Sequence, residues 1–237
     1  MAKYNISYDK NMVISISKGN GKTGDEVHIF NTLPGEHPLT LKDGTVLTDI
    51  IGTCKGCCDG CEDLCYAVGY TKRHHNTVIP AAAKNTLMVR NDLEGTFEQI
   101  QLYCKLKHPK YFRFHSSGEI ESYEYLLKMV ELAEACPEVQ YYFYTKRFAW
   151  VEKYLKEHGK FPKNLVCNIS EWEDNTNGYD LPGLNRFVYD DGTHPEYESL
   201  IHCPAVAKGG YHTGITCSQC GRCARNHGKK VAVYAHK

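Results

Sequence analysis

Tyr111-Phe112-Arg113-Phe114-His115-Ser116-Ser117-Gly118 opens the stretch whose reading decides the fold. Its first five residues predict a β-strand, and the Ser-Ser-Gly run ends it. Residues 121–135 then carry Tyr125, Leu126, Met129, Val130, Leu132 and Ala133 at helical spacing, with Pro137 closing the helix. A strand over 139–144, a helix over 148–157 stopped by Gly159, and a third strand over 164–169 complete the pattern. Strand–helix–strand–helix–strand predicts an α/β fold of parallel strands joined by right-handed crossovers. The polar strand ends His115-Ser116-Ser117, Thr145-Lys146-Arg147 and Ser170-Glu171 then share one rim, where parallel α/β sheets bind ligands.

Upstream of this core, residues 80–90 and 96–106 read as helices. The first fifty residues read as strands and turns: 12–16 and 26–30 have β character and could pair across the Gly-rich 18–24. Gly21-Lys22-Thr23 resembles the end of a phosphate-binding loop, but Ile16 stands where that loop needs glycine, so a tight turn is expected. Residues 171–215, with Gly178, Pro182, Gly183, Gly192 and Pro195, read as irregular, and 230–234 as a short final strand. The expected organisation is one domain over 1–237. A β-rich part spans 1–77, a β/α core 78–170, and an irregular C-terminal part 171–237.

Lysine plus arginine number 28 and aspartate plus glutamate 28, so the formal net charge is zero. A dedicated nucleic-acid binder would carry a basic surplus, and such a partner is not expected. No apolar run approaches the ~18 residues of a membrane span. The opening Met1-Ala2-Lys3-Tyr4 lacks a secretory stretch, which points to the cytoplasm. Thiols stay reduced there, so twelve cysteines call for metal rather than disulfides.

Nine of those cysteines are grouped. Cys54, Cys57, Cys58, Cys61 and Cys65 fall within twelve residues, with Gly56 and Gly60 between them. Glycines let backbone N–H groups turn toward a metal centre. Cys217, Cys220 and Cys223 form C-x2-C-x2-C, with Cys203 fourteen residues before, a ferredoxin-like set. Two 4Fe–4S clusters are the expectation, and zinc is the alternative that four thiolates also suit. Cys104, Cys136 and Cys167 lie within helix or strand patterns and are assigned to packing.

Cys54, Cys58 and Cys61 also stand in the C-x3-C-x2-C spacing of radical S-adenosylmethionine enzymes. Ser116-Ser117-Gly118-Glu119 resembles the Gly-Gly-Glu-type segment of that superfamily. The resemblance implies a partial (β/α) barrel-like parallel sheet, with cysteine-rich metal-binding loops near the N-terminal third and the C-terminus. It further implies S-adenosylmethionine as a cofactor, held by Ser116, Ser117, Gly118, Glu119 and Glu121 at its ammonium group. Lys146 or Arg147 would meet its carboxylate or an anionic substrate, and His115 would donate a proton or a ligand atom.

Over nearly the full chain the sequence resembles a cysteine-rich family of phages and mobile elements, the gene-eighty-eight product family. Gly19-Asn20-Gly21-Lys22-Thr23-Gly24, Cys61-x3-Cys65-Tyr66-Ala67, the segment from Phe112 to Glu119, Tyr144-Thr145-Lys146, Cys203-Pro204-Ala205 and the terminal Cys217 to Cys223 group carry it. This second resemblance favours Cys54, Cys61 and Cys65 as ligands, and it brings no established reaction. A closed cluster on four of the five thiols is a third arrangement, suited to electron transfer, storage or sensing. A zinc-stabilised binding module stands beside these, and the partner is an unidentified small molecule or redox protein. Plainer readings exist for the rim: residues 116–121 suit a helix start, 146–147 a solvated loop, and 141–144 a strand shared between core and surface.

Overall fold

The computed structural model describes residues 1–172, 175 and 178–235. The chain first lays down β1 (Ile16–Lys18) and β2 (Val27–Phe30), then α1 (Asp59–Asp63), α2 (Tyr66–Arg73), α3 (His75–Asn91) and α4 (Leu93–Lys107). The core follows as β3 (Tyr111–Phe114), α5 (Tyr123–Ala135), β4 (Gln140–Thr145), α6 (Phe148–His158) and β5 (Leu165–Glu171). β6 (Asn185–Asp190), β7 (Ile201–His202), α7 (Cys217–Cys220) and β8 (Lys230–Tyr234) complete it.

All eight strands join one sheet in the order β1-β2-β3-β4-β5-β6-β8-β7, antiparallel at β1–β2 and parallel elsewhere. The sheet is open, because β1 and β7 are its two edges. From β1 to β6 spatial order follows chain order, as in part of a barrel.

Alternation along the strands divides the sheet into two faces. Phe112, Phe114, Tyr141, Phe143, Leu165, Cys167 and Ile169 pack with Phe97, Ile100, Leu126, Met129 and Val151 of the helices. Cys104 and Cys136 lie fully buried in the same cluster. Val27, Ile29, Tyr142 and Val166 occupy the other face, against Ala224, Tyr111, Tyr144 and Cys223. Tyr142 and Tyr144 therefore meet the C-terminal cysteine segment rather than solvent. That segment fills the inside of the partial barrel.

Several local expectations change. β1 begins at Ile16 rather than at residue 12, because the backbone N–H groups of Ile14 and Ser15 go to the Gln99 and Asn85 side chains. Helices start at Asp59, inside the 1–77 part expected to be β-rich. α5 starts at Tyr123, with the Ser122 hydroxyl accepting from Tyr125 N at 3.1 Å; residues 116–121 are loop. β6 and β7 lie in the stretch expected to be irregular. Glu173, Asp174, Thr176, Asn177, His236 and Lys237 lie outside the described residues.

Candidate metal centre

Parallel pairing of β3, β4 and β5 brings their C-terminal ends to one rim, as expected. A cavity of about 520 Å³ opens there. Cys54, Cys57, Cys61 and Cys65 line it, and so do Cys203, Cys217 and Cys223. The two cysteine groups, far apart in the chain, thus face a common space.

The first group hangs on the connection after β2. Thr53 N donates to Leu33 O at 2.9 Å and Cys54 N to Gly35 O at 3.2 Å. A methyl group on Gly52 would lie 2.3 Å from the Pro34 and Gly35 carbonyl oxygens, so glycine alone allows this approach. Cys58 and Cys65 precede the first residues of α1 and α2, which spreads the thiols over two short helix starts. Cys58 is the one thiol of this group that does not line the cavity. Its sulfur accepts from Asn175 Nδ2 at 3.7 Å, and its thiol donates to Cys61.

That donation, aided by the Lys146 ammonium hydrogen-bonded to the same sulfur, lowers the Cys61 thiol to about 6 against the upward push of burial. Burial raises Cys54 to about 12 and Cys57 to about 11, and it raises Cys65 as well. Lys146 is pushed down by burial, but the Cys61 and Glu119 charges more than offset this and leave it raised. It is a fixed cation at the first thiol group, not a solvated loop residue.

The rim residues are held tightly. Glu119 is buried, its Oε1 accepting from Ile120 N at 2.8 Å and Thr145 Oγ1 at 2.9 Å, and its Oε2 from Lys146 N at 2.9 Å. Ser116 N and Ser117 N both donate to Asn31 Oδ1, at 2.9 and 3.0 Å. Gly118 has φ +92°, and a Cβ there would strike Thr32 Oγ1 at 1.9 Å. His115, Ser116, Ser117, Gly118, Glu119 and Lys146 all line the cavity. Glu121 does not, and its carboxylate pairs with Arg90 at 2.5 Å. His115 is buried at φ +59°, its Nδ1 3.3 Å from Thr32 Oγ1 and its Nε2 without a partner among the described residues. Burial, with the Arg113 charge adding to it, lowers His115 to about 3, so the ring is neutral at pH 7.

The second group is built from remote pieces of chain. Cys203, Cys217, Cys220 and Cys223 together line one small pocket of about 20 Å³, with Phe187, Pro204, Ala205, Arg222 and Val231. Cys203 N donates to Ala232 O of β8 at 2.9 Å. Cys217 N and Ser218 N donate to the Lys22 and Thr23 carbonyls at 2.8 and 3.0 Å. The Gly-rich segment is therefore a turn, closed by Asn20 Oδ1 accepting from Lys22 N and Thr23 N at 2.9 Å each, and it clamps α7. The Thr216–Gln219 capping box fixes the helix start. Asn168 Nδ2 donates to Cys223 O at 3.0 Å, and Asn185 Nδ2 to Asn168 Oδ1 and Arg225 O at 2.9 Å each. Burial raises Cys217, and raises Cys223 to about 12.

Arg113, Asn168 and Asn185 were not singled out in the sequence. Alternation alone could have flagged Arg113, a charge opposite Phe112 and Phe114 on a buried strand. Glu36, Cys57 and Glu62 form a further trio, with ligand atoms within 4.8 Å of one another. Two of the basic residues near the C-terminus, Arg225 and Lys230, have internal partners. Arg225 Nη2 donates to Cys220 O at 2.8 Å, and Lys230 Nζ lies 2.8 Å from Glu171. Among the described residues no helix is long and apolar enough to cross a membrane.

An open, largely parallel α/β sheet with two thiol groups around one rim cavity defines a cysteine-rich α/β protein with a candidate metal-binding centre. The chain belongs to the family described as Gene product 88, whose model matches residues 14–226. This is the family expected from the cysteine, Gly-Asn-Gly-Lys-Thr-Gly and strand-end motifs; the match lends no support to the radical S-adenosylmethionine resemblance. No curated protein and no solved structure matches the chain.

Proposed function

We propose that this protein binds two iron–sulfur clusters of the 4Fe–4S type, one at each thiol group, around the shared cavity. The observation that carries the proposal is the gathering of Cys203, Cys217, Cys220 and Cys223 around a single pocket. In this reading they ligate the second cluster, and Cys54, Cys61 and Cys65 hold the first. Cys57 stands apart beside Glu36 and Glu62, and Cys58 beside Asn175.

The number of thiols favours iron–sulfur over zinc: the first group brings five within twelve residues, more than one tetrahedral ion takes, whereas a cubane puts a separate iron behind each thiolate.

The 520 Å³ cavity favours a second, finer reading, because its size is in the range of small-molecule sites. Three ligands to the first cluster leave room for a substrate or cofactor such as S-adenosylmethionine, whose bound form would supply radical chemistry. Lys146 would then fix an anionic group, and the neutral His115 would exclude charge from the cavity floor. Otherwise the protein transfers electrons, stores clusters or senses.

Anaerobic purification with iron and sulfide analysis and a visible spectrum tests the first reading. Iron and sulfide with a brown chromophore are expected, whereas a colourless protein carrying zinc alone would refute it. S-adenosylmethionine added to the reduced protein tests the second. An unchanged paramagnetic signal without 5′-deoxyadenosine formation leaves only the non-catalytic role.

A further inference from the structure

Phe112 and Phe114 point to the helices, so strand alternation sends Arg113 to the inside of the partial barrel. Its guanidinium lies 5.0 Å from the Tyr144 ring centroid, and Nη2 donates to His115 O at 3.4 Å. Its Nε is buried and has no partner among the described residues. Among the described residues no carboxylate lies within ion-pair distance of it. Tyr66, Tyr144 and the Cys217 thiol line the same cavity. Arg113 and Lys22 line the cavity with Cys203, Cys217 and Cys223, and Lys22 gives its carbonyl to Cys217 N.

A half-buried guanidinium that faces a cavity with one N–H lacking an acceptor suits an anion there. Four thiolates around a 4Fe–4S core of charge about +2 leave a net charge of about −2. We infer that Arg113 and Lys22 are the counter-charges of the metal centre held by Cys203, Cys217, Cys220 and Cys223. The inference rests on the iron–sulfur reading above. Cations beside a cluster favour its more negative, reduced form, and so raise its reduction potential. The first group faces Lys146 and Arg147 together with Glu36, Glu62 and Glu119.

The test is a potential-controlled titration of anaerobically reconstituted wild type, Arg113→Gln and Arg113→Lys, read by paramagnetic resonance. Cys220→Ala identifies which signal belongs to the second centre. Arg113→Gln should shift that centre's reduced-to-oxidised ratio at least tenfold toward oxidised at a fixed potential, about 59 mV for one electron. Iron content and the first centre stay as in wild type, and Arg113→Lys retains most of the wild-type potential. An unmoved second-centre potential in iron-replete Arg113→Gln overturns the inference while leaving the clusters in place. Lys22→Gln should move the same potential in the same direction. That variant decides the question if Arg113→Gln does not load, and no shift in it counts against the pair. A difference between wild type and Arg113→Gln that vanishes on adding inorganic phosphate would assign the arginine to a soluble anion instead. Wild type without iron removes the cluster reading itself.

Discussion

Gly24 has φ +81°, and a Cβ there would lie 2.2 Å from Ser218 Oγ and 3.0 Å from Thr216 Oγ1. No other residue lets the Asn20–Gly24 turn close on α7. Gly24→Ala should therefore cost about 2 kcal/mol in urea unfolding and deplete the second thiol group of metal, with the first retained. His115 makes a pH-dependent contribution. Its folded value of about 3 lies below the usual 6.5, so its stabilising effect is complete above about pH 6.5. It is lost as pH falls toward 3, because the unfolded chain takes up the proton first. Between pH 6.5 and 5 this amounts to about 2 kcal/mol, at roughly 1.4 kcal/mol per pH unit. His115→Asn, a residue that tolerates the left-handed backbone, should flatten that slope in denaturation curves of the metal-free chain at pH 7 and 5. An equal slope in both proteins would remove His115 from the account.

At the scale of elements, the buried amides of Asn168 on β5 and Asn185 on β6 tie the C-terminal cysteine segment to the sheet. Asn185 Oδ1 also accepts from His227 N and Gly228 N, at 2.8 and 3.1 Å. Replacing Asn185 with leucine strands the Arg225 carbonyl and both N–H groups. A loss of about 3 kcal/mol is expected, with iron lost from the second group before the sheet unfolds. Parallel iron analysis and circular dichroism along a urea series check this order; simultaneous loss would contradict it. The β3–α5–β4–α6–β5 core was legible because each element is long and strongly periodic. β7, two residues long, has no period to read, and β6 sits among glycines and aspartates that mark turns. The tie between Asn168 and Asn185 was illegible for a different reason: lone amides in strands carry no spacing signal.

Across the whole molecule, eight of the nine grouped thiols border neighbouring spaces, yet each group has its own anchors. Cys220→Ala should abolish metal binding at the second group and spare the first, read as loss of about half the bound iron with the fold intact. Loss of all iron would mean the two groups depend on each other. The thiols and the polar rim could be found from spacing and strand ends. Their convergence on one cavity could not, because it depends on the sheet order and on the C-terminal segment returning inside it. Alternation marks Arg113 as out of place on its strand, but what it faces depends on the segment that covers that side of the sheet.

The clamp between Lys22, Thr23 and α7 has a consequence for synthesis. Residues 20–24 leave the ribosome well before Cys217 to Cys223. Until they meet, the inner face with Tyr142, Tyr144 and Val166 has no cover, and the nascent chain presents an aromatic surface open to misassociation. The second centre can be filled only after Cys223 has emerged, whereas the thiols at 54–65 are available earlier. Order of loading is thereby written into the connectivity, with the last cysteines both completing the inner wall and closing the window for error.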